Sequence, residues 1–176
     1  MITIRRAEGR DAAGISHVHV QSWRTTYEGM VPEEFLASLN EEERVPRWQE
    51  WLACDISIFV AEAFGEVVGF AGGGAIREPF PPYDAELYTI YLLKQRQGCG
   101  IGKRLLHALA TDLMEKNYSS LLVWVLEQNP AIRFYKNAGA QYLRSRQIEI
   151  GGAQLPELAL GWPDLREALT AAETRD

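Results

Sequence analysis

The pattern of apolar and polar positions opens with a β-branched run, ITIRRA over 2–7, which predicts a short strand. The period then lengthens. Ile15, Val18, Ser22 and Trp23 fall along one side of a predicted helix, with Asp11 as its N-cap and its end near Tyr27. Pro32 opens a second helical stretch, and a third covers about 41–53. Two strands follow, over 57–63 (SIFVAEA) and 67–76 (VVGFAGGGAI), about the short turn Phe64-Gly65-Glu66. The run Gly72-Gly73-Gly74 weakens the second strand locally and marks a bulge or a close backbone approach. Residues 78–82 carry three prolines and read as a loop. The strongest strand signal is 85–93 (AELYTIYLL). A helix over 100–117 comes next, with Ile101, Leu105, Leu106, Leu109 and Leu113 spaced to cover one face. The nearly continuous apolar run at 120–126 suits a central strand buried on both faces. Pro130 starts a helix that ends near Gly139. Strands over about 141–149 and 153–161 form a hairpin around Gly151-Gly152, and the tail after Trp162 reads as a short helix with frayed ends.

This order places helices on both faces of a mixed sheet: a single α/β (α+β) domain over residues 1–176, without linker or internal repeat. At 176 residues and 47% hydrophobic, the chain builds a core without disulfides or a structural metal, and global disorder is excluded. Eighteen basic against 24 acidic residues leave a net charge of −6, which argues against a nucleic-acid partner. Cys54 and Cys99 are the only cysteines, so a disulfide framework and a Cys-rich zinc site are both out. His17 and His19 lie on the first helix without a carboxylate-rich ligand pattern, and no metal is expected. The charged N-terminus lacks a signal core, and no stretch approaches the ~18–20 apolar residues of a membrane span. The expectation is a cytoplasmic protein with no membrane partner.

Chemistry concentrates in Gln97-Gly98-Cys99-Gly100-Ile101-Gly102-Lys103, between the strongest strand and the amphipathic helix. A helix N-terminus offers unpaired N–H groups and the positive end of the helix dipole. Glycines let the backbone curl so that several of these N–H groups face one anion. The spacing fits neither the Walker phosphate loop nor the dinucleotide fingerprint. It does fit Gln-x-x-Gly-x-Gly, through Gln97, Gly100 and Gly102. A second block, Asn129-Pro130-Ala131-Ile132-Arg133-Phe134-Tyr135-Lys136-Asn137-Ala138-Gly139, is similar to Asn-x-x-Ala-x-x-Phe-Tyr-x-x-x-Gly, with Ala131 two residues after Asn129 instead of three.

In these two blocks the chain resembles the GCN5-related N-acetyltransferases. The resemblance implies a mixed sheet splayed at a bulge, acetyl-CoA as acyl donor, and a homodimer through the late strands. It assigns acyl-donor binding to Gln97, Gly98, Cys99, Gly100, Ile101, Gly102 and Lys103, mostly through backbone N–H groups. Cys99 stands where the family more often has a basic residue. The pantetheine arm would lie along the main chain of Ile90, Tyr91 and Leu92 and bond Asn129. Tyr135 would sit beside the thiol and protonate it as it leaves. Phe134 reads as a core residue.

Glu86 is the single carboxylate within AELYTIYLL. At ~3.3 Å per residue it lies about 20 Å back along the strand from Leu92, in the direction an extended arm carries its thioester. By resemblance it is the general base, directly or through water; otherwise it is a strand-end carboxylate that reaches solvent. A base is needed because an ammonium of pKa ~10.4 must lose its proton before attack, whereas a phenol keeps its proton to about pH 10. No covalent enzyme intermediate is required. For the acceptor, Tyr27 and Glu28 are candidates, with Glu33, Trp48 and Trp51 nearby. The segment from Glu28 to Glu50 holds seven acidic residues and only Arg44 and Arg47, so it is either a solvated surface or an acidic wall for a small amine or polyamine. Rival readings are an acyl-CoA sensor without turnover and a protein N-terminal or lysine acetyltransferase.

Overall fold

Period-2 stretches that bury one or both faces become seven strands: β1 (Ile2–Arg6), β2 (Ser57–Ala63), β3 (Glu66–Phe80), β4 (Tyr83–Leu92), β5 (Leu121–Leu126), β6 (Gln141–Ile150) and β7 (Ala153–Trp162). The computed structural model describes residues 1–173, and the fraying expected at the end of the tail falls on 174–176, outside the described residues. One mixed sheet runs in the order β1-β2-β3-β4-β5-β7-β6. All neighbours are antiparallel except β4 and β5. The helices are α1 (Ala12–Thr26), α2 (Glu33–Ser38), α3 (Glu41–Ala53), α4 (Ile101–Glu115), α5 (Ala131–Asn137) and α6 (Leu165–Glu173).

Helix α4 lays Ile101, Leu105, Leu106, Leu109 and Leu113 on the back of the sheet, against Ala85, Leu87, Leu121, Val123 and Leu160. All five predicted face residues are buried. α5 and α6 complete that layer. On the front, α1 and α3 close over β2 and β3 through Ile15, Val18, Trp48, Ile58, Val60 and Phe70. Helices therefore cover both faces, as the element order requires.

Two local expectations change. Residues 78–80 belong to β3 and not to a loop, because Phe80 pairs with Tyr83 and Arg77 bonds Glu86 across the hairpin; the register is irregular between Ala75 and Phe80, where Pro79 costs no ladder bond. Asp11 precedes α1 but its carboxylate does not cap that helix. It accepts from Arg5 Nη1 and Nη2 at 2.7 and 2.8 Å and from the Glu8 N–H at 2.7 Å, tying β1 to the start of α1.

The Arg5 hydrogen bonds hold the Asp11 carboxyl below its ordinary value. A depressed folded pKa means the contribution is complete above the unfolded value of ~3.9 and is lost as pH falls through the folded one. Asp11→Asn is accordingly expected to cost about 2 kcal/mol in urea denaturation at neutral pH, and much less near pH 2.

Candidate active site

The glycine run in β3 sets the site. Gly72 faces Thr89 and Gly73 faces Leu87, so Tyr88 is an unopposed bulge residue in β4. A Cβ on Gly73 would stand 2.6 Å from the Glu86 carbonyl oxygen, so only glycine allows this approach. Parallel pairing between β4 and β5 covers only Ala85–Leu87 against Leu121–Val123 and then stops. From Tyr88 onward the two strands part, and the edge of β4 that faces β5 loses its ladder. The unpaired main chain left in this slot fits an extended amide-bearing arm.

At the open end of the slot lies the glycine loop. Gly98 and Gly100 both have φ of +75°, the left-handed region that L side chains avoid, and a Cβ on either would meet nothing within 4 Å. Gly100 is the N-cap of α4, and the first helical bond runs from Arg104 N to Gly100 O at 3.2 Å. The N–H groups of Ile101, Gly102 and Lys103 therefore precede the helical ladder and point outward at the positive end of the dipole. Gly102 serves packing: its Cβ would stand 3.3 Å from the Phe134 ring, so the missing side chain lets α5 approach α4. Gln97 turns its amide back to the Leu92 carbonyl at 3.4 Å, and Cys99 is exposed with Sγ 3.6 Å from the Gln97 carbonyl. The open cradle with its free N–H groups fits a diphosphate.

Three phenols and an amide gather above the slot. Asn129 is buried; its Oδ1 accepts from the Ala131 N–H at 2.9 Å, starting α5, and its Nδ2 donates to Tyr27 Oη at 3.3 Å. Tyr91 lies against Tyr27, and the charges of Tyr27, Tyr91 and Tyr135 would interact if formed. Burial first, and the neighbouring Tyr27 second, hold the Tyr135 phenol above its ordinary value, so it stays protonated through the physiological range. The Tyr135 ring is fixed edge-on to Phe134 and Trp162, with centroids 5.4 and 6.3 Å away. Of the main-chain stretch Ile90–Leu92, the Leu92 carbonyl already accepts from Ser22 Oγ at 3.1 Å and from Gln97.

Glu86 stands apart from that cluster, at the closed end of the slot where β4 and β5 still pair. It is 3% exposed and does not reach solvent. Its Oε1 accepts from Arg77 Nη2 at 2.5 Å and Nε at 3.2 Å, while Oε2 accepts from the Arg77 N–H at 3.1 Å. Tyr27 is buried, whereas Glu28 sits exposed in the turn after α1. Trp48 is core and Trp51 half-buried, its ring 6.1 Å from Tyr88. Sequence reasoning missed Arg77, Tyr88 and His19. The glycine triplet signalled the bulge that exposes Tyr88; nothing local signals that Arg77 reaches Glu86 across a hairpin. Among the described residues, no group of three His, Cys, Asp or Glu side chains could hold a metal ion, and no helix is long and apolar enough to cross a membrane.

The family model for the acetyltransferase (GNAT) family matches residues 20–140. The Bacillus subtilis protein YuaI, an uncharacterized N-acetyltransferase, is 44% identical over 166 residues, which cover 94% of this chain and 95% of that protein. The chain belongs to the GNAT family and is an acetyl-CoA-dependent N-acetyltransferase. The fold recurs in the PaiA N-acetyltransferase of Thermoplasma acidophilum, solved in complex with coenzyme A, at a TM-score of 0.65 and 23% identity over 90% of this chain and 98% of that one. It recurs also in the ribosomal-protein-alanine N-acetyltransferase of Brucella melitensis, at 0.72 and 23%, covering 91% and 98%.

Proposed function

We propose that the protein acetylates the primary amine of a small molecule by direct attack, with Tyr135 as general acid and Glu86 as proton acceptor through water. The observation that carries this reading is the meeting of Tyr27, Tyr91, Asn129 and Tyr135 beside a strand slot that opens on a glycine-lined helix N-terminus. Acetyl-CoA, when bound, supplies the thioester acetyl group. The N–H groups of Ile101, Gly102 and Lys103 would hold its diphosphate, with Gln97, Gly98, Cys99 and Gly100 shaping the loop. The main chain of Ile90, Tyr91 and Leu92 and the side chain of Asn129 would bind its amides, and free N–H groups of the slot would polarise the acyl carbonyl. Glu86, ion-paired with Arg77, accepts the ammonium proton through water, and the Tyr135 hydroxyl gives a proton to the departing sulfur. Fixing both reactants in one slot supplies much of the remaining rate.

A small acceptor is supported by the roof over the front face. The β6–β7 turn closes onto α2, so that a Cβ on Gly151 would stand 2.7 Å from Phe35 Cβ, which leaves little width for a protein chain.

The test is incubation with acetyl-CoA and a pooled amine panel, following thiol release and product mass. An acetylated small amine is expected; tight acetyl-CoA binding with no product from the pool would instead favour a sensor. Gly100→Ala forces a side chain into the left-handed region at ~1–2 kcal/mol. In initial-rate assays its KM for acetyl-CoA should rise about tenfold, that being the equilibrium equivalent of ~1.4 kcal/mol, with kcat little changed.

A further inference from the structure

We propose that the acceptor amine carries a carboxylate, held by Arg44 and Arg47 of α3, which makes an α-amino acid with an apolar side chain the substrate class; this rests on the acetyltransferase reading above. Three other arginines that reach toward the protein interior are matched to acids. Arg5 pairs with Asp11 and Glu62, Arg77 with Glu86, and Arg146 with Glu157 and Glu78. Arg44 is half-buried, yet among the described residues no carboxylate pairs with it, and its neighbour in charge is another cation, Arg47. Taking a guanidinium out of water beside a like charge is costly unless an anion arrives to use it.

The position of this pair connects it to the chemistry. Arg44 is close enough to Tyr91 and His19 for their charges to interact, and Tyr91 belongs to the splayed half of β4. His19 stacks on Tyr91 at 5.5 Å, and its Nδ1 is buried without a hydrogen-bond partner, as is Thr89 Oγ1 on the same strand. Burial, then the two arginines, lower His19 to about 4, so the imidazole is neutral at physiological pH and contributes a polar atom but no charge. Arg47 lies over the Trp51 ring at 5.8 Å, and Trp51 abuts Tyr88, giving the cations an aromatic flank. The acids of the same segment are committed elsewhere or exposed. Glu41 is bonded by His17 and Gln21 at 2.9 and 2.7 Å, while Glu28, Glu33, Glu42, Glu43 and Glu50 are exposed. A polyamine entering here would meet two like charges. A carboxylate would meet two guanidiniums, with the aromatic rings of Trp51 and Tyr88 beside its side chain.

The experiment measures kcat and KM for L-phenylalanine and L-leucine against their carboxamides, 2-phenylethylamine and spermidine, with acetyl-CoA binding followed in parallel by calorimetry. The carboxylates are expected to exceed the amides in kcat/KM by ~100-fold, a discrimination typical of lost charged pairing in a built site. Arg44→Gln should raise KM for the amino acids, leave the amides and the acetyl-CoA Kd unchanged, and recover in part as Arg44→Lys. Equal or better use of spermidine or the amides, or an equal loss on all amines in Arg44→Gln, overturns the proposal. So does an absence of product from every amine while acetyl-CoA still binds. An absence of acetyl-CoA binding overturns the transferase reading itself and this inference with it.

Discussion

Tyr135→Phe is expected to lower kcat by ~100-fold or more while the KM for acetyl-CoA changes little. The substitution removes one oxygen and keeps the ring, so the edge contacts to Phe134 and Trp162 and the packing on the back of the sheet persist. The melting temperature should therefore stay near that of the wild type, which separates a chemical loss from a structural one. Burial raises the Tyr135 pKa, so the phenol retains its proton through the assay range. The kcat profile should consequently show no descending limb from this group between about pH 6 and 9, where a free phenol of pKa ~10 would begin to bend it. Wild-type turnover in Tyr135→Phe would remove the residue from the acid role.

Glu86→Gln is expected to fail in two ways at once. The charge that takes up the ammonium proton disappears, which is worth ~100-fold or more in kcat. The amide also keeps one acceptor oxygen for Arg77 but puts an N–H donor where the second carboxylate oxygen accepted, so one of the Arg77 donors faces a donor. Losing that charged hydrogen bonding costs ~1.5–3 kcal/mol, limited because the Arg77 side chain is 55% exposed and can turn to water. Urea denaturation and kcat per folded molecule read the two effects separately. A stability loss with unchanged kcat would make Glu86 a structural anchor of the β3–β4 hairpin and leave the base to be found elsewhere in the slot.

The sheet and helices were legible wherever one element buries a continuous stripe. The α4 face is an example, since five apolar residues at helical spacing have no stable alternative to covering a sheet. Strand β5 was legible for the complementary reason, since only a central position buries both of its faces. Expectations failed where local composition competes with pairing. Residues 78–80 read as a loop from their prolines, but the bond from the Arg77 N–H to Glu86 holds the segment in the hairpin. Asp11 has the chemistry of an N-cap, yet a guanidinium from β1 takes its carboxylate first.

The same division runs through the site. Gln97 to Lys103 announce an anion cradle because positive φ and free helix N–H groups are local properties of glycines before a helix. Asn129 and Tyr135 are recognisable as part of a block, but their meeting with Tyr27 joins residues 102 positions apart across the Asn129–Tyr27 bond, and no local pattern encodes it. The acid-rich segment from Glu28 to Glu50 looks anionic by count. Its helical phase decides otherwise, turning Glu42, Glu43 and Glu50 to solvent while Arg44 comes near Tyr91. By itself the sequence determined most of the elements and the glycine-lined start of α4, because these follow from periodicity and short-range backbone chemistry, while the family was legible from the resemblance of two motif blocks. Only the tertiary structure decided that Arg44 comes near Tyr91, that Glu86 pairs with Arg77 and that β4 parts from β5 beyond Leu87, because those depend on contacts between distant segments.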